Sequence, residues 1–87
     1  MNCYFEGQNI INSIMDGTIS DIIAHKGQFV KMGDLIFYLN SLVGKEYMDI
    51  PIVATIDGIL ESINVKVGQK VEANEVLAII NSSSDCF

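Results

Sequence analysis

The chain has 87 residues, 49% of them apolar, with 11 acidic residues against 5 basic ones and a net charge of −6. That is one domain's worth of sequence, with apolar content for a single core. The acidic balance excludes the basic footprint that nucleic acid or an anionic membrane surface requires, and no apolar run is long enough to span a bilayer.

In chain order, the pattern reads as short strands. The opening residues Met1-Asn2-Cys3-Tyr4-Phe5-Glu6 show neither a basic n-region nor an apolar h-region, so a cytoplasmic location is expected. Strands are expected near 9–14, 18–24, 29–31, 35–43, 46–54, 59–66, 70–72 and 76–80, leaving 1–8 and 82–87 as tails of a single domain, 1–87, with its core at 9–81. Turn signals separate them: Asp16-Gly17, Lys26-Gly27-Gln28, Met32-Gly33-Asp34, Asp57-Gly58 and Val67-Gly68-Gln69. From Ile63 to Val67 apolar and polar residues alternate, the period of a half-buried strand. Ile and Val together make up 21 of the 87 residues, which favours sheet, and no ten-residue segment carries a helical stripe.

The residues of catalysis are absent as a set. His25 is the single histidine and precedes a turn glycine, so neither a zinc ligand set nor a Ser-His-Asp site can be assembled. No glycine-rich phosphate loop occurs. Cys3 and Cys86, one near each end, read as free thiols in a reducing compartment, although side-by-side termini would let them approach. The chain is expected to be non-catalytic, with no metal.

A shift of 41 residues lays the chain on itself without a gap, with seven identities in the 25 pairs from Asp16/Asp57 to Asn40/Asn81. Asp16-Gly17 falls on Asp57-Gly58, Ile22 on Ile63, Gly27-Gln28 on Gly68-Gln69 and Val30 on Val71. Two copies, 16–40 and 57–81, predict an all-β flattened barrel or sandwich of two four-stranded sheets with an internal quasi-twofold axis. The expected core is Ile19, Ile22, Val30, Ile36, Leu39, Leu60, Ile63, Val71, Leu77 and Ile80. Asn74 stands where the first copy has Gly33; asparagine is the next-best residue for a left-handed backbone.

The spacing Ile22-x4-Gly27-x2-Val30-x2-Gly33-x2-Ile36-x2-Leu39, with Asp57-Gly58-x4-Ile63-x4-Gly68-x2-Val71, resembles the two halves of biotinyl and lipoyl carrier domains. The segment Met48-Asp49-Ile50-Pro51-Ile52-Val53-Ala54 is similar to the stretch after the biotinyl lysine in single-domain biotin carboxyl carriers. In that family the connection between halves is a hairpin whose tip lysine carries the cofactor, within Met-Lys-Met for biotin and usually Asp-Lys-Ala for lipoate. Neither triplet is present here. Counting back from Ala54 puts the lysine position at Tyr47; counting forward from Gly33 puts it at Val43, so the hairpin is four residues longer than the family's. Dividing the excess equally moves the tip to Gly44-Lys45, a Gly-X pair that signals a type II′ turn. The register then pairs Val43 with Glu46, Leu42 with Tyr47, Ser41 with Met48, Asn40 with Asp49 and Leu39 with Ile50, and the tip should lie opposite the termini.

The resemblance implies a swinging-arm carrier with biotin, in preference to lipoate, on Lys45. Gly44, Glu46, Tyr47 and Met48 would meet the partners: a biotin ligase, a biotin carboxylase and a carboxyltransferase. The alternative is a degenerate, unmodified domain whose projecting hairpin serves protein interaction.

Overall fold

The computed structural model describes residues 8–82. Cys3 and Cys86 lie outside the described residues. Eight strands follow in chain order: β1 (Gln8–Asn12), β2 (Gly17–Ile22), β3 (Phe29–Val30), β4 (Leu35–Val43), β5 (Glu46–Val53), β6 (Gly58–Ile63), β7 (Lys70–Val71) and β8 (Val76–Ser82). They form two four-stranded antiparallel sheets, ordered β1-β8-β6-β3 and β5-β4-β2-β7. No helix is long and apolar enough to cross a membrane.

Neither sheet is the product of one repeat. β3 leaves the first copy to pair with β6, and β7 leaves the second to pair with β2. The two copies are therefore stitched together by backbone hydrogen bonds. Gly27 N–H donates to the Leu60 carbonyl at 2.7 Å, and 41 residues on, Gly68 N–H donates to that of Ile19 at 2.7 Å. The repeated Asp16-Gly17 and Asp57-Gly58 have a shared reason. The Asp16 carboxylate accepts from Ala73 N–H (2.7 Å) and the Asp57 carboxylate from Met32 N–H (2.8 Å), each tying a turn of the other copy. The glycines that follow lie against β4 and β8: a Cβ on Gly17 would meet the Asn40 carbonyl, and one on Gly58 that of Asn81.

The core obeys the same symmetry. Each buried apolar side chain has a buried partner 41 residues away: Ile11/Ile52, Ile19/Leu60, Ala24/Val65, Val30/Val71, Ile36/Leu77, Phe37/Ala78 and Leu39/Ile80, with Ser13 opposite Ala54. Ser13 is buried without loss because its hydroxyl donates to the Met15 carbonyl at 2.7 Å. Ile22 and Ile63, expected in the core, are only half-buried and pack against its rim. They are the last residues of β2 and β6, where the chain departs toward the opposite sheet, and Ala24 and Val65 take the interior places instead. Strand ends shift for the same reason: β1 stops at Asn12 and β2 at Ile22, short of the expected 14 and 24, while Gln8 and Ser82, expected in tails, extend the terminal strands.

Bulges account for the inward neighbours Ile36 and Phe37. The β4–β5 register skips between Leu35 and Phe37, so Ile36 is an extra residue, and the β1–β8 register skips Leu77 between Val76 and Ala78. An extra residue resets the alternation, letting two successive side chains face one core.

Candidate functional site

The two halves differ most at the β4–β5 connection. Gly44 and Lys45 form its two-residue turn, with Val43 paired to Glu46, Leu42 to Tyr47, Ser41 to Met48, Asn40 to Asp49 and Leu39 to Ile50. Gly44 has φ +66°, and Asn74 is the one described non-glycine residue with positive φ. A positive φ at the first central position alone is the type II′ arrangement, which needs glycine there and matches the twist of the strands.

β2 reaches only to Gly17, whose neighbour Thr18 pairs with Asn40. Beyond that row the hairpin continues as two strands without a third. Lys45 is exposed at its apex, and no hydrogen bond or ion pair from a described residue reaches its amine. Glu46 is exposed beside it, and Leu42, Val43, Tyr47 and Met48 are 51, 42, 72 and 51% exposed. The base of the projection is fixed by Asn40 Nδ2, which donates to Asp49 Oδ1 at 2.9 Å, and by Ser41 Oγ, which donates to the Asp16 carbonyl.

The tip and the outermost described residues, Gln8 and Ser82, occupy opposite poles. Ser41, near the end of β4, bonds to the Asp16 turn, whereas Leu35, at its start, pairs with Val53 near Asp57. At the Asp57 pole, Gln8 pairs with Asn81, so the outermost described residues of β1 and β8 lie side by side. The turns at the two poles carry different charge: Glu72 and Glu75 on the tip side stand where the other copy has Lys31 and Asp34.

An open groove runs across the outer face of the β5-β4-β2-β7 sheet beside the hairpin. Leu42 and Tyr47 line it with Gly17, Thr18, Asn40 and Lys70 of β7, and the carboxylates of Asp16, Glu72 and Glu75 border it. The sequence reading missed this groove. Its signal lay in repeat positions that diverge on the outer face, Thr18 against Ile59 and Lys70 against Phe29, while the core positions agree. Among the described residues, no three His, Cys, Asp or Glu side chains gather as a metal site.

A protein of Mycobacterium leprae (strain TN) described as "Biotinylated protein TB7.3 homolog" is 27% identical over 64 residues, covering 74% of this chain and 84% of the relative. The urea carboxylase of Kluyveromyces lactis superposes with a TM-score of 0.72 at 27% identity over 88% of this chain. In sequence and in fold the chain is similar to proteins of the biotinyl/lipoyl carrier family. The chain spans only 6% of that carboxylase's length. The lipoyl domain of the 2-oxoglutarate dehydrogenase complex from Azotobacter vinelandii matches as a near-complete unit. Its TM-score is 0.60 at 27% identity, over 82% of this chain and 85% of that domain. No protein-family model matches the chain.

Proposed function

We propose that this domain is a biotin carboxyl carrier and that Lys45 is its point of covalent attachment. The observation that carries the reading is the position of Lys45, at the apex of a type II′ turn with its amine in solvent. Amide formation requires an amine that a modifying enzyme can approach from outside, and a two-stranded projection provides that clearance. A biotinyl group on this amine would supply a ring nitrogen on which carboxylate travels between a biotin carboxylase and a carboxyltransferase. The chain's own contribution is presentation: the turn fixes the Lys45 backbone, and the cross-strand pair Leu42–Tyr47 stiffens the hairpin. A lysine free of restraint at a rigid tip is what a mobile arm needs, and the reacting centres belong to the partners.

Biotin is preferred to lipoate on the segment from Met48 to Ala54 and on the biotinylated relative. Gly44 and Glu46 stand in place of the flanking methionines, so ligase recognition would rest on the turn and its protrusion. The domain would be an accessory, non-catalytic component, and a cytoplasmic address is part of the same proposal. The second reading, an unmodified interaction module, draws on the exposed Leu42, Val43, Tyr47 and Met48.

The deciding experiment is intact-mass measurement of the chain after incubation with a biotin ligase, biotin and ATP. The expected result is a gain of one biotinyl group that disappears in Lys45→Arg. An unchanged mass with several ligases, for a chain whose fold is verified by circular dichroism, favours the interaction module.

A further inference from the structure

The geometry points to a resting site for the Lys45-linked group on the outer face of the sheet, in the groove beside the hairpin. This rests on the carrier reading and adds where the arm lies between partners. The groove begins at Leu42 and Tyr47. Tyr47 is two residues from Lys45, roughly 7 Å along an extended strand. A lysine side chain with an acyl chain on its amine spans that distance and can fold back over the pair.

The chemistry of the groove suits a biotinyl ring, which is apolar on its thioether side and carries a urea on the other. Leu42 and Tyr47, 51 and 72% exposed, offer an apolar wall that nothing on the described chain covers. The floor beyond them is polar. Thr18 pairs with both Asn40 and Lys70, so the three side chains form one cross-strand row on this face. The Thr18 hydroxyl makes no hydrogen bond with a described residue. The Asn40 amide donates to Asp49, which leaves its carbonyl oxygen directed to acceptance. A urea presents N–H donors and a carbonyl together, matching the Asn40 oxygen, the Thr18 hydroxyl and the Lys70 amine.

The quasi-twofold axis supplies an internal control. The equivalent positions on the other sheet, Ile59 for Thr18 and Phe29 for Lys70, are apolar, although the folding requirements of the two faces are the same. The polar row is therefore confined to the face that Lys45 can reach.

The test compares ¹H–¹⁵N spectra of the full chain before and after biotinylation by a ligase, with modification verified by mass. Amide resonances of Thr18, Asn40, Leu42, Tyr47 and Lys70 should move as well as those of the turn. The shifts at Thr18 and Lys70 should be lost in Tyr47→Ser. In Thr18→Val, which preserves shape, the perturbation at Asn40 should shrink at least twofold. Perturbation confined to Gly44, Lys45 and Glu46 in a fully biotinylated chain overturns the resting site and leaves the carrier reading intact. Failure of the mass to change removes the occupant, and the carrier reading falls together with the resting site.

Discussion

Leu39 and Leu42 lie three residues apart on β4, and their truncation tests the register that brings Lys45 to the tip. Leu39 pairs with Ile50 and is fully buried, whereas Leu42 pairs with Tyr47 and is 51% exposed. Leu39→Ala removes buried carbon and leaves a cavity between sheets, at about 2–5 kcal/mol. Full burial of a leucine contributes about 1.5–3 kcal/mol, and Leu42 has withdrawn only half its surface, so Leu42→Ala should cost about 1 kcal/mol. Total stability for a chain of this size is of the order of 4–13 kcal/mol. The first change thus removes a large fraction and the second a small one. At roughly 4–8 °C per kcal/mol, Leu39→Ala should lower Tm by tens of degrees and Leu42→Ala by under about 10 °C. Urea unfolding followed by far-ultraviolet circular dichroism measures both, since the chain has no tryptophan to report. A larger loss for Leu42→Ala than for Leu39→Ala would refute the reasoning, because a one-residue slip exchanges the faces of a strand and moves the apex off Lys45. Ile80→Ala, the repeat equivalent of Leu39→Ala, should cost a similar amount within one cooperative transition.

Gly44→Ala forces an L-residue into the left-handed region at φ +66° and should cost about 1–2 kcal/mol in thermal unfolding while slowing biotin acceptance. Gly17→Ala fails for the other reason, crowding: its Cβ would lie 2.9 Å from Leu39 Cδ1 and against the Asn40 carbonyl, and overpacking of this kind costs about 1–3 kcal/mol by denaturant titration. Asp16→Ala and Asp57→Ala each release one turn amide, to which water still has access, so each should lose about 0.5–1.5 kcal/mol. Asn74→Gly relieves a positive φ of 70° and should raise Tm by a few degrees; a fall would contradict the strain assigned there.

Much of the fold was legible because repetition exposes it. The 41-residue offset located the turns, the strand number and the internal symmetry, and the repeated Asp-Gly pairs proved to be the ties between copies. The hairpin was equally legible. Two counts from fixed points disagreed by four residues, and a hairpin can absorb such an excess only by lengthening both strands around a turn of the right chemistry. Gly44-Lys45 was the pair with that chemistry, and Leu39 does pair with Ile50. Local backbone preference and period-two alternation decide such matters within a few residues.

Other features required contacts between distant segments. Ile22 and Ile63 have the residue type and spacing of core positions, yet strand ends expose them, and Ala24 and Val65 fill the space instead. The adjacent burial of Ile36 and Phe37 depends on a bulge that alternation alone cannot foresee. The exchange of β3 and β7 between sheets was invisible for a further reason. A two-residue strand has almost no periodicity of its own, and only the open hydrogen-bonding edges of β6 and β2 give it a place. The groove beside Lys45 belongs to this second class. Thr18, Asn40 and Lys70 are far apart in the chain, and antiparallel pairing is what sets their side chains in one row within reach of the tip.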